Sequence, residues 1–401
     1  MRDEPQTAAA MKSTHSPGVG WMGVRRGHKA RPLEWIVEKL ILLTALSAIL
    51  MILLIFFFVT REAWPVFTGN VNSAAAVEQM TMEEMQKLSP AQLQKYLELS
   101  DEEFRGMDQE TIKLLMEVKL EAMAEAKAHS ENPDAKINTA SWRYLLQPYQ
   151  WQGYEKPEHI WQPVGNIHKY NIIPLLIGSL KVSFIALAAS VPMALAAAIY
   201  ISQLAPGRVR EVVKPMIELM AGIPSVVLGF FALIVMAGFL QKIFGYPTRL
   251  NALLAGLALS LAVIPIIFSI AEDALTSVPR SYTQGALALG ASKWQAAWQI
   301  VLPAALPGVF AAVVLGFGRA IGETMIVLMT STASVMSWSI FESARPITAT
   351  IAAEMAETVF GGHHYRVLFM LGALLFAFTF LLNLIGDLII HRLKGRLEGK
   401  A

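Results

Sequence analysis

Six stretches of this chain are long and apolar enough to cross a lipid bilayer, and that alone decides the fold class. A spanning helix needs about 20 mostly apolar residues. Segments at 40–60, 172–201, 215–240, 251–271, 302–330 and 366–390 meet that length and character. Inside hydrocarbon every backbone N–H and C=O must be satisfied within the protein, which at these segment lengths means helices. With 54% hydrophobic and only 16% charged residues, the composition lies outside that of soluble globular domains. The expectation is an all-α integral membrane protein with six transmembrane helices.

The placement of basic residues orients the spans. Arg25, Arg26, His28, Lys29 and Arg31 precede the first span, "REAWPVF" follows it, and the apolar run is longer than the 7–15 or so residues of a signal-peptide core, so an uncleaved anchor is expected. Alternation then puts Arg208, Arg210, Lys214, Arg280, Lys293 and the tail "HRLKGRLEGK" inside, against Lys242, Arg249 and Arg345 outside. Both termini are expected in the cytoplasm. The resulting division is a basic cytoplasmic segment over 1–39, a first span at 40–60, an extracytoplasmic helical insertion over 61–171, a core of five spans over 172–391 and a cytoplasmic tail over 392–401.

In the insertion, "TMEEMQKL", "SPAQLQKY", "SDEEFRGM" and "DQETIKLL" each open on a helix-capping residue and read as short amphipathic helices, two of them with capping-box spacing. A longer helix is expected over 110–127, with Ile112, Leu115, Met116 and the Lys119 stem on one side. A solvated insertion packed on the membrane part is favoured over a dedicated docking module. Trp142, Tyr144, Trp151, Tyr154 and Trp161 follow, and aromatics so near a span are expected at the membrane interface, ahead of a ligand-stacking surface.

Several chemistries are disfavoured. The chain has no cysteine, hence no thiolate site or disulfide, and its net charge of +2 does not suggest nucleic acid. No Gly-x-x-x-x-Gly-Lys-Ser/Thr is present, so no P-loop ATP site is expected. His363 and His364 are adjacent and would point in different directions on a helix, and no cofactor or metal is expected.

The stretch 281–308, "SYTQGALALGASKWQAAWQIVLPAALPG", carries most information. Ser281 with Gln284, and Ser292 with Gln295, have capping-box spacing, and Gly290 lies between them where a helix end needs a left-handed residue. Two short helices joined by a glycine turn are predicted. Trp294 and Trp298 share a face and, with Tyr282 and Leu289, form an apolar knob that a soluble partner would bury.

The run from Gly290 through nine residues to Ile300, Val301, Leu302 and Pro303 resembles the EAA coupling loop of ABC-importer permeases, with Gln284, Gly285 and Ala286 standing where the family has Glu-Ala-Ala. "GRAIGETM" with the later "ITATIAAEMAET" is similar to the phosphate-specific transport permeases of that family, more to the PstC type than to its PstA sister. The resemblance covers 171–391 and not the insertion. It implies the type I ABC-importer permease fold, an inner-membrane location in a bacterium, a second PstA-type permease, two ATP-binding cassette subunits and an extracytoplasmic phosphate-binding protein. Gln284, Gly285, Ala286, Gly290, Trp294, Ile300, Leu302 and Pro303 would contact or transmit to the ATPase.

Arg319 and Glu323 sit in an otherwise apolar run, where a lone charge costs several kcal/mol. Four apart on a helix, they can pair. One reading is a self-neutralising pair at a helix contact. The favoured one makes the guanidinium a stop on an anion path, its fork suited to phosphate, with Glu323 orienting it and Thr324 adding a hydroxyl. Gly316, Gly318 and Gly322 would allow a neighbouring helix close approach at a subunit or pore interface. Lys181 is a second candidate on the path, although snorkelling outward is slightly preferred for it. Two alternatives stay open: the same architecture carrying molybdate or sulfate, and a membrane scaffold or sensor working through its insertion.

Overall fold

The computed structural model describes residues 32–69, 108, 111–118, 134, 137–165, 167–333 and 336–397. The chain divides into two compact units, Met1–Ile55 and Phe56–Ala401. In the first, the described residues belong to helix α1 (Pro32–Phe67), and its side chains from Ile36 to Ile55 are exposed. An apolar helix without a covered face is suited to lipid rather than water.

In the second unit, six helices in all being long and apolar enough to cross a membrane once α1 is counted, the spans are Ile173–Leu204, Ser225–Phe244, Ala252–Thr276, Lys293–Gly322 and His363–Leu393. They are built from α4 (Ile173–Ile199), α6 (Ser225–Phe231), α7 (Ala237–Phe244), α8 (Ala252–Thr276), α10 (Lys293–Ala296), α11 (Leu302–Gly322) and α14 (His363–Leu397). Between α1 and α4 come about two turns of helix at 111–118 (α2), α3 (Trp142–Leu146) and a two-stranded antiparallel ladder of β1 (Trp161–Gln162) and β2 (Lys169–Tyr170).

Local chemistry explains the punctuation. Asn251 caps α8 by accepting from the Leu254 N–H at 2.9 Å. Proline stands immediately before α5 (Gly207–Met220), α6, α9 (Arg280–Ala288) and α13 (Ile347–Glu354), its fixed φ setting an extended residue at the helix entrance. A widened π turn at Ala297–Val301 precedes Pro303, whose missing N–H leaves the Gln299 carbonyl without its usual partner.

Two expected spans are corrected. The segment read as 215–240 contains two helices: amphipathic α5 ends at Met220, Gly222-Ile223-Pro224 breaks the chain, and the span begins at Ser225. The segment read as 302–330 is interrupted at Glu323, beyond which α12 (Met325–Thr330) is a separate short helix. Of the insertion, the four short helical phrases lie mostly outside the described residues. Asp108 accepts from the N–H and hydroxyl of Thr111 to start α2, where Met116 is buried and Ile112 and Leu115 are half-buried.

The core sits between α4, α8 and α11. Leu254, Leu259, Ile267 and Phe268 of α8 are wholly buried against Val182 and Ala186 of α4. A Cβ on Gly316 would lie 2.6 Å from the Ile267 side chain, so this glycine serves contact between α11 and α8 within the chain. Gly322 has nothing within 4 Å of such a Cβ, and Gly318 meets only Asn383 at 3.6 Å. A second cluster joins Ala63 and Val66 of α1, Leu145, Trp161, Tyr170, Ile347 and Val367. The aromatic residues expected at the membrane interface are thereby corrected in part: Trp151 and Trp161 are buried in this lobe's own packing, with Tyr149 edge-on to both Tyr144 and Trp151.

Candidate functional site

The break at Glu323 organises the charged pair. Arg319 occupies the last turn of α11, and Glu323 is its C-cap, extended at φ −72° and ψ 133°. The pair forms all the same: Arg319 Nη2 lies 3.2 Å from Glu323 Oε2. They are not stacked along one continuous helix, as the spacing suggested, because the chain turns at the carboxylate. Thr348 of α13 donates its hydroxyl to the Glu323 carbonyl at 2.8 Å, satisfying a backbone acceptor the break exposes. Ile347 donates to Ser179 Oγ of α4 at 2.9 Å, pinning the same helix to the second span.

The two charges are unequally covered. The Glu323 side chain is 5% exposed and that of Arg319 is 51% exposed. Glu323 is the guanidinium's one polar partner among the described residues, so most of its N–H fork is uncommitted. A buried carboxylate behind a half-open guanidinium holds the cation in place while leaving donors for an anion. Thr324 begins α12 without a side-chain capping bond, so its hydroxyl is not turned back into a helix as expected of a helix-internal threonine.

Lys181 is held elsewhere. Its Nζ donates to the carbonyls of Ser337 and Ser339, each at 2.9 Å, tying α4 to the loop before α13. Two backbone carbonyls take the ammonium.

At the other end of the spans, α9 and α10 form the predicted helix pair. Gly290 adopts φ 89°, a left-handed conformation that side chains rarely take. Ser292 and Gln295 complete a reciprocal capping box. Ser281 does not cap: α9 starts at Arg280 behind Pro279, which puts Ser281 in the first turn and leaves Gln284 on the helix with Gly285 and Ala286. Trp294 and Trp298 stack at 5.8 Å and 19°, and with Tyr282 and a 91% exposed Leu289 they present the apolar knob. Ile300 lies in the π turn, and Leu302 and Pro303 open α11, so the knob runs directly into the helix that ends at Arg319.

The sequence reading passed over Glu272. This α8 carboxylate is wholly buried and receives Arg210 Nη2 and Lys214 Nζ from α5, each at 2.6 Å, and Thr276 Oγ1 at 3.0 Å. Hydrogen bonding to Glu272 holds the Lys214 ammonium above the usual lysine value. The signal was partial: an acid stands in an apolar run, but Glu211 beside Arg210 and Glu218 four residues after Lys214 offered the basic residues nearer partners. Glu354 was missed too. It accepts from Trp161 Nε1 at 3.1 Å and Arg345 Nη1 at 3.1 Å.

The family model for binding-protein-dependent transport system inner membrane components matches residues 190–398. The chain belongs to this family. Its match takes in α8 to α11, and with them the glycine turn, the Glu272 cluster and the Arg319–Glu323 break. The chain is thus a multi-pass permease subunit of an ABC importer in the inner membrane. Among relatives of this permease, the probable ABC transporter permease YqgH of Bacillus subtilis is 35% identical over 226 residues, covering 56% of this chain and 73% of that one. The phosphate transport system permease PstC of Pasteurella multocida is 32% identical over 260 residues, 60% of this chain and 80% of its own. PstC of Xylella fastidiosa (strain 9a5c) is 34% identical over 260 residues, with 60% and 78% covered. A solved inward-facing MetNI methionine ABC transporter aligns at a TM-score of 0.44 and 20% identity, over 55% of this permease and 95% of that chain.

Proposed function

We propose that this permease carries inorganic phosphate through an ATP-driven importer, with Arg319 as the anion-contacting group of the path. The observation that carries the reading is the unequal exposure of the pair: the guanidinium is half open and the carboxylate behind it is buried. A phosphate oxyanion reaching Arg319 would take paired N–H donors in the geometry the fork offers, and exchange for the ion pair with Glu323. Thr324 supplies a further hydroxyl beside the same turn. Phosphate is preferred over other oxyanions because the relatives just described include phosphate permeases.

Both termini and the helix pair at Gly290 face the cytoplasm in this reading, and the insertion at 61–171 faces outward. The exposed Trp294, Trp298 and Leu289 dock on an ATP-binding cassette subunit. Motion imposed there passes through Ile300, Leu302 and Pro303 into α11 and reaches the break at Glu323. A PstA-type permease completes the path, two cassette subunits drive it, and an extracytoplasmic phosphate-binding protein delivers the cargo. Lys181 braces the loop before α13 instead of meeting the anion.

Radiolabelled uptake by cells expressing the assembled transporter tests the cargo. Unlabelled phosphate is expected to compete fully, and sulfate and molybdate are expected to leave uptake unchanged when about tenfold in excess, since oxyanion discrimination rests on hydrogen-bond fit rather than charge alone. Equal competition by molybdate or sulfate would overturn the assignment of phosphate.

A further inference from the structure

His363 and His364, expected to face apart, converge on a single phenol. They open α14, and their rings lie 5.4 and 5.6 Å from that of Tyr170, His364 nearly parallel to it at 12°. His168, in the connection between β1 and β2, stacks on the same ring at 5.9 Å. Three imidazoles from two elements therefore join the β1–β2 hairpin to the head of the sixth span. The third element is α13, whose Glu354 carboxylate accepts from Trp161 of β1 and from Arg345, and lies 3.3 Å from His364 Nε2.

His364 turns Nε2 to the carboxylate, and its Nδ1 faces away from it. His168 donates through Nδ1 to the Pro163 carbonyl. Both ring nitrogens of His363, Nδ1 of His364 and the Tyr170 hydroxyl have no partner among the described residues and are sealed from solvent. Burial, with Glu354 nearby, holds the Tyr170 phenol well above its ordinary range, so that group stays protonated.

A cavity of about 450 Å³ adjoins the cluster, bounded by Pro163, Val164, His168, Glu357 and Val359 as well as the histidines. Because the unpartnered nitrogens are sealed, a molecule resting in that cavity cannot bond to them unless the hairpin shifts. The arrangement is therefore suited to responding to protons rather than to holding a ligand. A protonated His363 in the closed arrangement would carry two N–H donors with no acceptor, among His168, His364 and Arg366. Of the facing acids, Glu354 is already engaged by Trp161, Arg345 and His364, and Glu357, which lines the same cavity, is exposed. A buried charge with no partner is expelled or hydrated.

We propose that His363 is an acid-opened clasp, releasing the β1–β2 hairpin from the head of the sixth span and admitting cavity water to the rings as the pH falls. The sign follows from proton counts. The closed form leaves His363 unprotonated, whereas the open form protonates near the ordinary histidine value of about 6.5. The open form binds more protons, so closure is complete above that value and is lost on going below it.

Hydrogen exchange of the assembled transporter in lipid nanodiscs, corrected for intrinsic rates, reads the clasp directly. Going from about pH 7.5 to about pH 5, a span that brackets histidine titration, peptides covering 161–170 should lose protection about tenfold while α8 is unchanged. His363→Phe, which cannot titrate, should remove that loss; if this variant does not fold, His363→Gln takes the same readings. Equal protection at both pH values in the unsubstituted protein, or a variant that still opens with acid, would overturn the proposal.

Discussion

Arg319→Gln should lower phosphate uptake about 100-fold while the protein still inserts and assembles. The size follows from two charge-assisted hydrogen bonds, each contributing about 1.5–3 kcal/mol, of which an amide can replace only a weak part. Arg319→Lys separates charge from shape. It keeps the cation beside Glu323 but loses the planar fork, so uptake should recover to no better than about a tenth of normal. Radiolabelled uptake normalised to the amount of assembled complex checks both variants. Full uptake with lysine would mean that a positive charge suffices at this position and that the half-open fork has no role in recognition. Unimpaired uptake with glutamine would remove Arg319 from the path altogether.

Glu272→Ala is expected to be the most destabilising single change in the core. Arg210 and Lys214 both converge on this carboxylate, which has no access to water. Removing it takes from Arg210 and Lys214 the charge-assisted hydrogen bonds that Glu272 accepts, each contributing about 1.5–3 kcal/mol. The reverse change costs less. Arg210 is itself partly exposed and can be hydrated, and Lys214 still neutralises Glu272 when it is gone, so Arg210→Ala should cost only about 1 kcal/mol. Thermal unfolding of the detergent-solubilised permease should therefore rank Glu272→Ala far below Arg210→Ala. Similar melting temperatures for the two would show that the cluster is hydrated and contributes little. Because α5 and α8 are joined here, the loss should also loosen the region that leads into the Gly290 turn.

The parts that were legible in the sequence are those in which one physical rule dominates. Apolar runs fixed six spans because lipid leaves the backbone no other solution, and Ser292, Gln295 and Gly290 specified the helix pair through local hydrogen bonding alone. Boundaries set by tertiary contact were less readable. The break at Glu323 is flanked by apolar residues on both sides, and its exposed carbonyl is satisfied by Thr348, 25 residues away, so no local pattern reveals it. The division between α5 and α6 did carry a signal in Gly222 and Pro224, obscured by the apolar residues around them. Lys181 looked like a cation in need of an anion or of water, and only the fold brings it the carbonyls of Ser337 and Ser339. Glu272 and Glu354 share that character: Lys214 reaches the one and Trp161 the other from elements remote in the chain, which spacing cannot disclose.

The absence of cysteine gives a direct route to the central claim, that the turn at Arg319 lines the phosphate path. Gly322 is exposed, and a Cβ there meets nothing within 4 Å, so Gly322→Cys places a single thiol one residue from the break without crowding it. In the assembled transporter this thiol should react with a small hydrophilic methanethiosulfonate, and phosphate delivered by the binding protein should slow the reaction while sulfate does not. A thiol that never reacts, or one whose rate is indifferent to phosphate, would contradict the account.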